Sequence, residues 1–258
     1  MPLLGLGVYD MYKAEAEQAV EDALAIGYRL IDTASMYENE VEIGNAIKNA
    51  GLDRKEIFLT TKLNNTDHGY EAALKAFDDS LKKLGQDYVD LYLIHWPIKE
   101  GRAASWKGLE KLYAEKRVKA IGVANYNIAL LEELKTTASI VPAVNQIEFS
   151  PWLYQEDLLA YCKAAGIQVQ SYSPITRGLK FSDERLVLLC NKYNRTPAQI
   201  VLNWHLQHGI STIPKSSKKE RLVENFDATS FTLSNEDVKI MNGFNENFRI
   251  CDDPQTYL

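Results

Sequence analysis

The stretch Tyr88–Pro97, YVDLYLIHWP, decides how this sequence is read. It is a short apolar run that ends on an ionisable group, His95. Two upstream runs share this form. Ile57–Leu63, IFLTTKL, carries Lys62 near its end, and Ile31–Glu40, IDTASMYENE, supplies Asp32 and, just beyond it, Tyr37. Three successive predicted strands therefore deliver ionisable groups at or beyond their ends. A barrel of parallel strands keeps its chemistry at that end.

Further out, short β-branched runs alternate with segments of helical period. GLGVY precedes KAEAEQAVEDALAIG, and the strand YRLID precedes NEVEIGNAIKNAG. IFLTTKL and YVDLYLIHW each lead into a helical segment, as do VKAIGVAN, AVNQIEF and QVQSYSP. STIPKS then closes the series before KKERLVENF. Gly27, Gly51, Gly85 and Gly166 fall where helices should stop. Eight strands with helical returns predict a closed (β/α)₈ TIM barrel of class α/β, one domain over residues 1–258. The competing open, doubly wound sheet lacks its marker, because Gly5-Leu6-Gly7 lies inside a strand with no third glycine at the required spacing. Two extra helices are expected, near Asp183–Asn194 and near Ser234–Phe244, and Pro197 should open the helix that follows the first of them.

Composition narrows the function. A chain of 258 residues with 46% apolar and 25% charged residues suits a soluble globular protein. A net charge of −6 argues against a nucleic-acid surface. Cys162, Cys190 and Cys251 are too scattered for a zinc site or a disulfide framework, which favours a reducing compartment. Neither a leader pattern nor an apolar stretch of membrane length is seen, so a cytoplasmic location is expected. His205 and His208 share a helix face but lack a third ligand, so no metal is expected and a solvated or capping role is assigned to them.

The four ionisable groups make chemical sense together. An isolated tyrosine, with a pKa of about 10, donates poorly to a developing alkoxide. A nearby ammonium favours its phenolate, and a carboxylate keeps that ammonium charged. An imidazole can orient a carbonyl oxygen. Asp32, Tyr37, Lys62 and His95 supply these groups, although 63 residues separate the first from the last.

With GLGVY, IDTASMYENE, TTKL, LYLIHWP, GVANY, NQIEFSP, SYSPI and IPKSSKKERLVEN in this order, the chain resembles the aldo-keto reductases over essentially its whole length. The resemblance implies NADPH-dependent reduction of a small-molecule aldehyde or ketone. Tyr37 would be the proton donor, Asp32 and Lys62 would tune it, and His95 would orient the carbonyl. Lys215, Ser216 and Arg221 would hold the 2′-phosphate, with Glu224 and Asn225 at the adenine end. Late βα loops and helix N-termini suit phosphates in this fold. Tyr172 would stack on the nicotinamide, Asn125 and Gln146 would hold its carboxamide, and Ser173 would reach the pyrophosphate.

Departures from the family pattern bear on the substrate. Ala124 in GVANY cannot offer a serine hydroxyl to the carboxamide. Asn64 stands where a tryptophan is common, so the pocket trades an apolar wall for a polar one. Tyr9 and Trp96 are its remaining candidate walls. Short loops predict an open pocket suited to small polar carbonyls such as dicarbonyls and keto-sugars. The chain begins almost on its first strand, without the N-terminal hairpin usual in relatives, so the opposite barrel face should be under-covered. A monomer is expected, with an oligomer as another way to cover that face. Two other functions fit parts of the pattern: Lys62 as a Schiff-base nucleophile, and an NADPH-binding regulatory or structural subunit with little activity.

Overall fold

The computed structural model of the chain describes residues 1–257. Eight parallel strands follow one another in sequence order around a single sheet. They are β1 (Leu6–Gly7), β2 (Leu30–Asp32), β3 (Phe58–Leu63), β4 (Val89–Ile94), β5 (Val118–Ala124), β6 (Val144–Glu148), β7 (Gln168–Tyr172) and β8 (Ser211–Thr212). A parallel bridge between Leu4 and Thr212 joins the first edge to the last, with Gly5 N–H donating to Thr212 O at 2.9 Å and Thr212 N–H to Leu3 O at 2.7 Å. The sheet is closed, as a (β/α)₈ barrel requires.

The helices are α1 (Lys13–Ile26), α2 (Glu40–Asn49), α3 (Tyr70–Leu84), α4 (Arg102–Ala114), α5 (Ile128–Lys135), α6 (Glu156–Ala164), α7 (Glu184–Tyr193), α8 (Pro197–Gln207), α9 (Lys219–Phe226) and α10 (Asn235–Asn242). The additional pair are α7 and α10. Asp183 caps α7 by accepting from Arg185 N–H, and Ser234 caps α10 by accepting from Asp237 N–H. Pro197 opens α8 behind a reciprocal capping box between Thr196 and Gln199. At Gly85 the backbone turns left-handed (φ 60°), and its N–H closes the end of α3 on Leu81 and Lys82 carbonyls.

Alternation along each strand sorts side chains between two cores. On β4, Tyr92 and Ile94 join the large cluster between sheet and helices, while Leu91 and Leu93 join a small one with Ala124 and Val144 inside the barrel. Gly122 lets these layers close, since a Cβ there would lie 2.5 Å from Val144 O and 2.8 Å from Leu93 Cδ2. The inward parity that is apolar at Leu91 and Leu93 next reaches His95. The same parity carries Phe58 and Thr60 to Lys62 and carries Val144 to Gln146. The barrel interior therefore turns from apolar to ionisable along its axis, and the polar end is the C-terminal mouth.

Candidate active site

Four strand ends converge on one cluster. Asp32 ends β2, Lys62 lies in the last turn of β3's pleat, His95 follows β4, and Tyr37 sits in a short 3₁₀ turn (Ser35–Tyr37) after β2. Asp32, Lys62 and His95 are buried, and Tyr37 is half-buried with its hydroxyl inward. Lys62 Nζ donates to Asp32 Oδ1 at 2.5 Å and to Thr33 O at 2.9 Å, and lies 3.4 Å from Tyr37 Oη. His95 Nε2 is 3.5 Å from the same hydroxyl. The phenol oxygen thus faces an ammonium and an imidazole at once. The Tyr37 loop is held from behind by Asn39, whose Nδ2 donates to Val8 O at 2.9 Å and to Met11 O at 3.0 Å.

Burial dominates the electrostatics. It pushes the Asp32 carboxyl up and the Lys62 ammonium down, and each partner opposes the other's shift. His95 is held well below its usual range by burial and then by the Lys62 charge, so its ring is neutral. The Tyr37 phenol is raised well above its usual range by burial and next by the Asp32 charge. Burial and the Asp32 charge thus outweigh the lowering expected of the Lys62 ammonium. The result is a phenol that keeps its proton until a stronger base forms beside it.

The neighbouring amides do more than their sequence context suggests. Gln146 Nε2 donates to Asp32 Oδ2 at 2.7 Å and to Gln170 Oε1 at 2.7 Å, so its own Oε1 is the atom free for a ligand. Asn125 Nδ2 donates to His95 O at 2.9 Å, and Asn125 Oδ1 accepts from Tyr172 Oη at 2.8 Å. Asn125 and Ser173 both adopt left-handed backbone, at φ 64° and 49°. Such strain in non-glycine residues concentrates at functional sites. Hydrogen bonds thus join Tyr172 to Asn125, Asn125 to the His95 carbonyl and Gln146 to Asp32, and Ser173 follows Tyr172 directly.

The phosphate candidates lie after β8. Lys215 and Arg221 are exposed, and neither forms an ion pair among the described residues. Ser216 is buried, with its Oγ accepting from Lys218 N–H at 3.1 Å. Helix α9 begins at Lys219 without a side-chain cap, which leaves N–H groups open at a positive helix end. Glu224 is half-buried and Asn225 buried on the same helix. Two unpaired cations beside an uncapped helix start fit a phosphomonoester.

The three residues expected as pocket walls can also be placed. Tyr9 is 54% exposed and meets Tyr37 edge-on at 5.2 Å. Asn64 is half-buried at the start of the loop after β3. Trp96 is half-buried, stacks on Tyr257 at 5.3 Å and belongs to neither core cluster. The tail holding Tyr257 is less free than a short terminal segment suggests. Glu148 at the end of β6 accepts Ile250 N–H at 2.6 Å and Cys251 N–H at 3.0 Å.

His205 departs from the solvated role expected of it. It is fully buried, with Nδ1 2.8 Å from Val201 O and Nε2 3.1 Å from Phe149 O. His208 instead pairs with Asn242 Oδ1 at 2.9 Å. The described residues contain no metal-binding group of three or more His, Cys, Asp or Glu. No helix among them is long and apolar enough to cross a membrane. Sequence reading missed Gln170, Glu148 and the Arg102 contacts treated below. For Gln170 a signal existed, since the alternation in QVQSY puts it on the inward face with Tyr172.

Residues 4–246 match the Aldo/keto reductase family. The chain is 46% identical over 259 residues to the glyoxal reductase of Bacillus subtilis (strain 168), covering 100% of this chain and 94% of that protein. It is similar to MGS-M4, an aldo-keto reductase enzyme from a Medee basin deep-sea metagenome library, with a TM-score of 0.96 at 44% identity over 98% of this chain and 94% of the other. A mutant of Gox0644 in complex with NADPH is similar at a TM-score of 0.94 and 39% identity, over 99% of this chain and 94% of that one.

Proposed function

This chain belongs to the aldo/keto reductase family and is an oxidoreductase, and from that premise we propose that it reduces small polar aldehydes and ketones to alcohols with NADPH, Tyr37 acting as the proton donor. The observation that carries the reading is the placement of Tyr37 Oη, 3.4 Å from Lys62 Nζ and 3.5 Å from His95 Nε2. When bound, NADPH supplies the hydride that goes to the carbonyl carbon. The chain's own task is the oxygen. His95, kept neutral by burial, orients that oxygen by a hydrogen bond towards Tyr37. As negative charge grows there, the phenol proton moves onto it, and the Lys62 ammonium stabilises the phenolate left behind. Asp32, with Gln146 on its second oxygen, keeps Lys62 in place.

For the cofactor, the unpaired cations at the uncapped start of α9 support the reading. Lys215, Ser216 and Arg221 take the 2′-phosphate, with Glu224 and Asn225 at the adenine. Tyr172 stacks on the nicotinamide, Asn125 and Gln146 meet its carboxamide, and Ser173 reaches the pyrophosphate. Substrate size follows from Tyr9, Asn64 and Trp96, which leave a polar patch in an aromatic mouth. Similarity to a glyoxal reductase supports a dicarbonyl substrate class. The test is cofactor oxidation over glyoxal, methylglyoxal, keto-sugars and aromatic aldehydes, with NADPH and with NADH. Turnover of the small dicarbonyls with NADPH preferred is expected. Binding of NADPH without oxidation across the whole panel would overturn the reading, and preference for NADH would overturn the phosphate assignment.

A further inference from the structure

Three segments carry residues proposed for the pocket or their stacking partner: the loop after β3 with Asn64, the loop after β4 with Trp96, and the C-terminal tail with Tyr257. All three are tied to one turn of α4. Arg102, only 6% exposed, makes a bidentate pair with Glu133 on α5, Nε to Oε1 at 2.7 Å and Nη2 to Oε2 at 2.5 Å. Its Nη1 donates to Pro97 O at 3.0 Å and to Tyr257 O at 2.8 Å. One turn on, Ser105 Oγ accepts from Gly69 N–H at 2.9 Å and lies 3.1 Å from His68 Nδ1 in the loop that Asn64 begins.

We propose that Arg102 is a positioning residue that sets which carbonyls the pocket accepts by size, because it clasps the Trp96 loop to the Tyr257 tail. The proposal rests on the reductase reading above and deepens it. Arg102 touches neither the four clustered residues nor the proposed cofactor track. It holds both sides of the Trp96–Tyr257 stack, whose ring centroids are 5.3 Å apart. Trp96 directly follows His95 and precedes Pro97, whose carbonyl Arg102 holds, so the clasp fixes the backbone that carries both rings. The planar fork is needed for this. Two parallel bonds hold the guanidinium on Glu133 while its other nitrogen bridges two carbonyls. A lysine ammonium cannot span all four acceptors. Nearer the barrel, Glu148 and the Trp152 carbonyl hold residues 246–251 of the tail, so loss of the clasp frees the distal end and leaves the rest anchored.

The experiment compares wild type, Arg102→Met, Arg102→Lys and Tyr257→Ala, using glyoxal and a bulky aromatic aldehyde with saturating NADPH. The expected result is a KM effect: glyoxal kcat/KM falls about tenfold in each variant while the bulky aldehyde keeps its value, and glyoxal kcat stays within about twofold. A merely structural loss lowers kcat for both carbonyls together, and that result overturns the proposal. An unchanged size preference in the Tyr257→Ala protein overturns it too, even if the Arg102 variants fail to fold. Limited proteolysis without substrate supplies an arm independent of activity. Cleavage in residues 252–257 should speed up in Arg102→Met, and equal protection in wild type and variant contradicts the clasp. If wild type reduces neither carbonyl, the reductase reading fails, and the proteolysis arm still decides whether Arg102 holds the tail.

Discussion

Two buried imidazoles in this molecule sit in opposite circumstances. His95 lies at the barrel mouth with Nδ1 unpartnered and Nε2 3.5 Å from Tyr37 Oη. His205 lies on α8 behind the barrel wall, with Val201 O and Phe149 O within 2.8 and 3.1 Å of its two nitrogens and Ser171 Oγ at 3.2 Å. Burial keeps both neutral. One has its bonds made within the fold and the other does not. Buried polar groups without partners are costly, and His95, with one such nitrogen, stands beside the Lys62 charge. Residue type and burial are shared, and what separates the two rings is their company, a phenol beside an ion pair for one and backbone carbonyls for the other.

The sharpest way to break this contrast is to damage the ion pair on the mouth side. Lys62→Met leaves Asp32 buried without its cation, although Gln146 still bonds one oxygen. We expect a loss of about 3–5 kcal/mol in stability. Turnover should fall by about 10²-fold or more in whatever folds. Denaturant titration with steady-state kinetics checks both. Near-normal stability would mean that the pair is not held as an ion pair.

On the core side the expected effect is on pH dependence, not on turnover. Burial lowers His205 to about 4 from an ordinary 6.5. Below the ordinary value the unfolded chain takes up a proton that the folded chain refuses. The stabilisation is therefore complete above that value, is lost as pH falls, and levels off near the folded value. Its full size is about 3 kcal/mol. His68 and His208 are also lowered by burial and add the same sign. Unfolding free energies of wild type and His205→Gln between neutral and mildly acid pH should diverge in slope, with kcat for the variant unchanged at neutral pH. Parallel slopes would contradict the assignment.

The smallest expected effect lies farthest from the cluster. Arg221→Ala removes one exposed cation from the uncapped start of α9. NADPH affinity should fall about tenfold, in line with the loss of a hydrogen bond to a charged group, and NADH affinity should stay the same. Fluorescence titration of both cofactors measures it. An equal loss for both would place Arg221 away from the 2′-phosphate.

Much of this is legible in the sequence alone. The inward parity of YVDLYLIHWP and IFLTTKL marks strand ends, and the order of eight such runs leaves little besides a barrel. The helix starts at Asp183, Pro197 and Ser234 are equally readable, because a helix start is decided by residues within two or three positions of one another. What could not be read depends on long-range burial. Tyr37 looked like a phenol lowered by Lys62, yet the balance between burial and a matched ion pair exists only in three dimensions. Arg102 and Tyr257 are 155 positions apart, and no local pattern links them. Gln146 could be placed beside a ligand by its motif, but its bond to Asp32 spans 114 positions and shows only once the barrel closes.

The central claim is that the proton comes from the Tyr37 hydroxyl, and Tyr37→Phe removes that hydroxyl and little else. Single-turnover reduction of glyoxal by the NADPH-loaded protein should slow by about 10²–10⁴-fold, with NADPH affinity and unfolding midpoint unchanged. A variant that binds NADPH and reduces glyoxal at the wild-type rate would contradict it.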